Sequence, residues 1–150
     1  MKISVVFWSQ SGNTAAMADA VGQGITEAGK EAEVIEVSSA SLDALKEEKA
    51  FALGCPAMGA EVLEESEMEP FVAEVESFAA GKTIALFGSY GWGDGEWMRD
   101  WTDRMTSAGA TVVNGEGLIC HALPFLFFEE WNHAFIGVKS CFYRNGIMLL

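Results

Sequence analysis

Positive charge is what this 150-residue sequence has least of. Nine Lys and Arg stand against 22 Asp and Glu, for a net charge of −13. Such a surface repels phosphate backbones and anionic lipid, so neither nucleic acid nor a membrane is an expected partner. Cysteine and histidine are also scarce. Cys55, Cys120 and Cys141 are odd in number and widely spaced, with no C-x-x-C, and His121 and His133 are the only histidines. No disulfide framework, zinc site or other metal site is expected from that inventory. No run of eighteen apolar residues occurs, which argues against a membrane-spanning helix. Met1-Lys2-Ile3 passes into an apolar stretch without a signal-peptide pattern, so a cytoplasmic protein is the expectation. What is present suits folding: half the residues are apolar and 21% are charged. The length fits a single domain over 1–150 with a sizeable core.

The apolar run 2–8 reads as a buried strand. Met17, Ala18, Val21, Ile25 and Ala28 then recur at three- and four-residue steps, which predicts a helix over about 14–28 stopped by Gly29. Further strands are predicted at 33–37, 50–54 and 83–89, the first of them a half-buried edge. A short helix is expected at 41–48. A helix beginning at a Ser66/Glu69 capping box and ending at Gly81 would bury Met68, Phe71, Val72, Val75, Phe78 and Ala79. Another carries Trp97, Met98, Trp101, Met105 and Ala108 on one face and stops at Gly109. A fifth strand is expected in two pieces, 111–113 and 117–120, around Asn114-Gly115-Glu116. Apolar strands alternating with helices make parallel pairs with right-handed crossovers. The fold class is α/β, a doubly wound five-stranded parallel sheet.

In such sheets ligands lie beyond the carboxyl ends of the strands. Three loops emerge there. The first, Ser9-Gln10-Ser11-Gly12-Asn13-Thr14, is rich in hydroxyls and has no Lys or Arg. Hydroxyls, helix-start N–H groups and one permissive glycine suit a phosphate held without a cation. Taken alone, the loop reads first as an N-capped helix after a tight turn. The second loop, Cys55 to Glu61, carries Met58 beside Gly59. The third, Tyr90 to Gly95, carries Trp92 between Gly91 and Gly93. Either side chain alone reads as core packing, yet both lie in glycine-flanked loops and not on a helical stripe. Facing each other, they would form a slot for a flat aromatic ring.

These stretches carry a resemblance. Ser9 to Thr14, Gly54-Cys55-Pro56-Ala57-Met58-Gly59-Ala60-Glu61 and Gly88-Ser89-Tyr90-Gly91-Trp92-Gly93-Asp94-Gly95-Glu96-Trp97-Met98, in this order and spacing, resemble short-chain flavodoxins of the anaerobic, clostridial type. The likeness covers residues 1–120. It implies the strand order 2-1-3-4-5 and FMN as cofactor. The phosphate would lie on Ser9, Gln10, Ser11, Gly12, Asn13 and Thr14. The ring would lie between Met58 and Trp92, with Pro56, Ala57, Gly59, Ala60, Ser89, Tyr90, Gly91 and Gly93 lining the site. Glu61 would accept from flavin N3–H, and the Gly59 carbonyl would turn toward N5 on one-electron reduction. The implied function is a low-potential one-electron carrier, not a catalyst. Its expected partners are basic-faced redox proteins such as reductases and ferredoxin-dependent enzymes, found by electrostatic steering.

Other readings remain open on sequence: a flavodoxin-like quinone or nitro-compound reductase, an FMN-free interaction module, or a module of a larger reductase, of which the chain ends give no sign. From His121 onward the charge excess vanishes, aromatic residues crowd together and the likeness stops. Pro124 is expected to open a helix to about Ile136, with 138–143 and 147–150 pairing around Asn145-Gly146. This tail would stand in place of the family's last helix and cover the sheet face beside the first. A monomer is expected, with association through the tail if that face stays open. A first prediction concerns Gly59. Gly59→Val should lower the yield of the one-electron-reduced state in a reductive titration, because a β-branched residue resists positive φ. An unchanged yield would remove the turning carbonyl from the account.

Overall fold

The computed structural model describes residues 2–121. Strand β1 (Lys2–Phe7) is buried over its last five residues. The chain then turns into helix α1 (Asn13–Glu27), which ends where Gly29 takes φ 80°. There the N–H groups of Lys30 and Gly29 donate to the Ile25 and Thr26 carbonyls, closing the helix as a left-handed glycine permits. Strand β2 (Glu31–Glu36) follows, then helix α2 (Leu42–Glu47), capped by the Ser41 hydroxyl accepting from Ala44 N–H. Strand β3 (Ala50–Gly54) is wholly buried. Helix α3 (Met68–Glu76), strand β4 (Thr83–Tyr90) and helix α4 (Glu96–Ser107) complete the alternation.

Among the described residues the strands pair in parallel, in the order β2-β1-β3-β4-β5. The last strand is divided, as the Asn114-Gly115 signal implied. Strand β5 (Thr111–Val112) and strand β6 (Leu118–His121) both pair with β4. Ile84 faces Val112 and Phe87 faces Leu118, so six residue steps oppose three. The excess leaves the sheet as a turn with Asn114 at φ 61° and Gly115 at φ 73°. Strand β2 is the edge and the least buried strand, which its mixed composition foreshadowed.

The sheet's two faces hold separate cores. Ile3, Val5 and Phe7 point one way, onto Met17, Val21 and Ile25 of α1. Val6, Phe51 and Leu53 point the other way, toward Leu45, Phe71, Val75, Trp97, Trp101 and Met105 from α2, α3 and α4. Alternation along the strands thus decides which helix each residue meets. The expected tail helix at 124–136, the pairing of 138–143 with 147–150, and the covering of the sheet face lie outside the described residues.

Helix α3 departs from expectation at both ends. Ser66 and Glu69 form no capping box. The Glu64 carboxylate instead accepts from the N–H groups of Ser66 (2.8 Å), Glu67 (2.8 Å) and Met68 (3.1 Å). Two anionic oxygens from upstream take the N–H groups at and just before the helix start, more than one hydroxyl can, and they meet the positive end of the helix. The helix also stops before Gly81. Ser77 N–H and Oγ both donate to the Glu74 carbonyl, and a further three-residue turn, Lys82 N–H to Ala79 O, carries the chain on. Arg104 of α4 reaches across to Glu69 and Glu76 of α3 at 2.8 Å each.

Burial raises the Glu64 carboxyl pKa, but the N–H bonds from Glu67, Met68 and Ser66 outweigh it and hold the group below its ordinary 4.5. A lowered folded-state value means stability present above pH 4.5 and lost as pH falls through the folded value. Glu64→Ala should therefore cost about 1–2 kcal/mol at neutral pH, as lost helix caps do. The deficit, followed by urea denaturation, should shrink below pH 4. A deficit independent of pH would contradict this.

Candidate functional site

The turns after β1, β3 and β4 meet at the carboxyl edge of the sheet and are bonded to one another. Trp8 N–H donates to Gly54 O (2.9 Å), tying the first turn to the second. Ala57 N–H donates to Ser89 O (2.9 Å), tying the second to the end of β4. The hydroxyls of Thr14 and Ser89, both buried, are 3.0 Å apart and join the start of α1 to β4. The Glu61 carboxylate, 8% exposed, accepts through Oε1 from Asp94 N–H (3.1 Å) and Gly95 N–H (3.2 Å), joining the second turn to the third.

The first turn does not cap α1 with a side chain. The cap residue is Gly12 at φ 94°, no side chain bonds into the first turn, and no acidic residue lies there. Ser9 Oγ accepts from Gly12 N–H at 3.2 Å, which shapes the turn and leaves the helix start to its own donors. The reading of this loop as a side-chain-capped helix start, with its Ser, Asn and Thr residues as caps, does not hold. Gln10, Ser11 and Gly12 are exposed, and a Cβ at Gly12 would meet nothing within 4 Å. A helix N-terminus with orphan N–H groups and room beside it suits an anion.

The second turn is a tight hairpin. Met58 and Val62 exchange both backbone hydrogen bonds at 2.9 Å around Gly59, Ala60 and Glu61, with Gly59 at φ 50° and Glu61 at φ 53°. Pro56, Ala57 and Met58 are half-buried, while Gly59 and Ala60 are exposed. In the third turn Gly91 and Gly93 are exposed and Trp92 is 63% exposed, far from a core aromatic. The Tyr90 ring lies 5.7 Å from Trp97 and edge-on to His121 at 5.0 Å.

A family model for flavodoxin matches residues 5–131. A Clostridium beijerinckii flavodoxin is 52% identical over 111 residues, covering 74% of this chain and 80% of that protein. A Megasphaera elsdenii flavodoxin is 42% identical over 111 residues, covering 74% and 81%. The chain belongs to the flavodoxin family. The fold agrees: the solution structure of two-electron reduced M. elsdenii flavodoxin matches with a TM-score of 0.78 at 35% identity, covering 94% of this chain and 98% of that one. The family match runs ten residues past His121 and leaves the last 19 residues outside it.

As a flavodoxin this chain is an FMN-binding electron carrier and not a catalyst, and the reductase and FMN-free readings are not favoured. The rim suits that cofactor: an uncapped helix start for a phosphate, and two glycine-flanked side chains, Met58 and Trp92, for a ring. Among the described residues no helix is long and apolar enough to cross a membrane.

Several contacts that shape this flavodoxin rim are visible only in the fold. Arg99 donates from Nη1 to Asp94 O and from Nη2 to Asp94 Oδ1, each at 2.9 Å, and its guanidinium holds the Asp94 carboxyl below its ordinary range. Trp97 Nε1–H donates to Cys55 O at 3.1 Å beneath the second turn. The Cys55 thiol is buried, which pushes its pKa up to about 12, so it serves packing and not thiolate chemistry. Gly88 is where β4 passes that same carbonyl: a Cβ there would lie 2.1 Å from Cys55 O. Gly88→Ala must push β4 off β3 just below two of the three turns. It should cost about 1–3 kcal/mol in thermal or urea unfolding, as overpacked cores do, and weaken FMN binding. Wild-type stability and affinity would show that the close approach is not required.

Proposed function

We propose that this chain carries single electrons at low potential, holding FMN by Ser9 to Thr14 at the phosphate and between Met58 and Trp92 at the ring. The observation that supports it most is the set of bonds joining the three turns into one rim. FMN, when bound, supplies the electron chemistry; the residues position it and set its surroundings. Orphan N–H groups at the start of α1, backed by the helix dipole, receive the phosphate without a cation. Met58 and Trp92 supply soft and aromatic surface on backbones thin enough to approach a ring. Pro56, Ala57, Gly59, Ala60, Glu61, Ser89, Tyr90, Gly91 and Gly93 complete the lining.

The acidic surface acts twice. Its charge of −13 opposes the arrival of further negative charge, and more strongly in a slot of low dielectric than in water. Electrons are therefore given up readily, which is low potential. The same field steers redox proteins that present basic faces, such as reductases and ferredoxin-dependent enzymes. Such a carrier would work in the cytoplasm, as a monomer and a single domain.

A reductive titration followed by visible absorbance tests this reading. Bound FMN should be reduced in two resolved one-electron steps, the second below the potential of free FMN. Trp92→Ala should weaken FMN binding about tenfold, equivalent to ~1.4 kcal/mol. Protein that takes up no FMN on reconstitution, or reduces it in one two-electron step, would overturn the proposal.

A further inference from the structure

Asp94 is held through its N–H, its carbonyl and its side chain. Its N–H donates to Glu61 Oε1, its carbonyl accepts from Arg99 Nη1, and its Oδ1 accepts from Arg99 Nη2. Gly95 N–H, next along the chain, also donates to Glu61. At the other foot of the turn, Tyr90 is fixed by pairing with His121 in the sheet and by packing on Trp97. Between the two feet lie only Gly91, Trp92 and Gly93. A Cβ at Gly91 would meet nothing within 4 Å, and Trp92 is largely exposed. The three residues form an arch, open at Gly91 and Trp92 and closed at Gly93 against the Glu61 carboxylate.

We propose that Glu61 and Arg99 are positioning residues: they pin Asp94, and through it the arch that presents Trp92, so that the 58–62 hairpin and the Trp92 turn keep one fixed spacing. This rests on the reading that the ring lies between Met58 and Trp92. Glu61 bears most of the weight. It is buried, it is charged, and it holds φ 53°, a conformation that non-glycine residues avoid unless the surroundings impose it. Gly93 shows how close the fit is: a Cβ there would lie 2.1 Å from Glu61 Oε1 and 2.4 Å from its Cδ. Arg99 is the weaker pin. Its pair with Asp94 is exposed, at 58% and 77%, so salt screens it. Its second bond, to the Asp94 carbonyl, restrains the backbone directly.

Amide hydrogen exchange by NMR on the full chain reads the pin without reference to the cofactor. In Glu61→Ala the Asp94 and Gly95 amides should exchange at least tenfold faster than in wild type, with the Met105 amide inside α4 unchanged. Gly93→Ala, which leaves Glu61 in the sequence but displaces its carboxylate, should do the same. Arg99→Gln, a surface change that tolerates folding, should speed the Asp94 amide about threefold and weaken FMN binding by a similar factor. Arg99→Lys, which keeps the charge but loses the planar two-nitrogen fork, should fall between. Unchanged Asp94 and Gly95 exchange in Glu61→Ala, or wild-type FMN affinity in Arg99→Gln, would overturn the proposal. If wild-type protein bound no FMN, the cofactor reading would fail while the exchange rates still tested the pin.

Discussion

A phosphate can rest beside a surface carrying thirteen excess negative charges only if its donors are in place before it arrives. Water solvates a dianion well, and an acidic protein repels it. A loop without Lys or Arg is left with neutral donors, its hydroxyls and the peptide N–H, and peptide dipoles help only when several point the same way. The start of α1 meets that demand. Gly12 turns the chain in the left-handed region, no side chain blunts the helix end, and the Ser9 hydroxyl stiffens the turn. The proposed phosphate cradle is therefore a property of backbone direction, set by where β1 stops and α1 begins.

The same logic extends to the whole rim. Parallel strands finish at one edge, so the turns that follow must share it. Sharing an edge does not fix the spacing between turns; the cross-links do. Trp8 to Gly54, Ala57 to Ser89, Thr14 to Ser89 and Glu61 to Asp94 join each turn to another. All but the last use a group inside a strand or at its end, so the rim inherits the rigidity of the sheet. The Trp92 arch is the part least supported by the sheet, and it is the part held by charged side chains.

Much of this was legible in the residues. Strands β1, β3 and β4 are apolar runs bounded by Gly and polar residues, and α1 and α4 show clean helical spacing with glycine at their ends. The divided fifth strand was legible at Asn114-Gly115, because both tolerate positive φ. The start of α3 was not. Ser66 and Glu69 have the spacing of a capping box, and nothing local reveals that Glu64 outcompetes them by offering two charged oxygens to three donors. The roles of Glu61 and Arg99 toward Asp94 were hidden for a related reason. Glu61 is 33 residues from Asp94 in sequence, and only the fold makes them neighbours. Arg99 is only five residues from Asp94, but it belongs to no motif that would single it out. Motifs name the loops; contacts between loops need the third dimension.

The most direct measurement compares FMN with riboflavin, which lacks the phosphate, binding to the flavin-free protein across a range of salt concentrations. If uncharged N–H donors hold the phosphate against an acidic surface, FMN binds more tightly than riboflavin at every ionic strength. Its affinity then stays level or rises with salt, because salt screens repulsion and there is no cation attraction to lose. Equal affinity for the two flavins, or an FMN advantage that fades as salt increases, would contradict a cradle built from backbone alone.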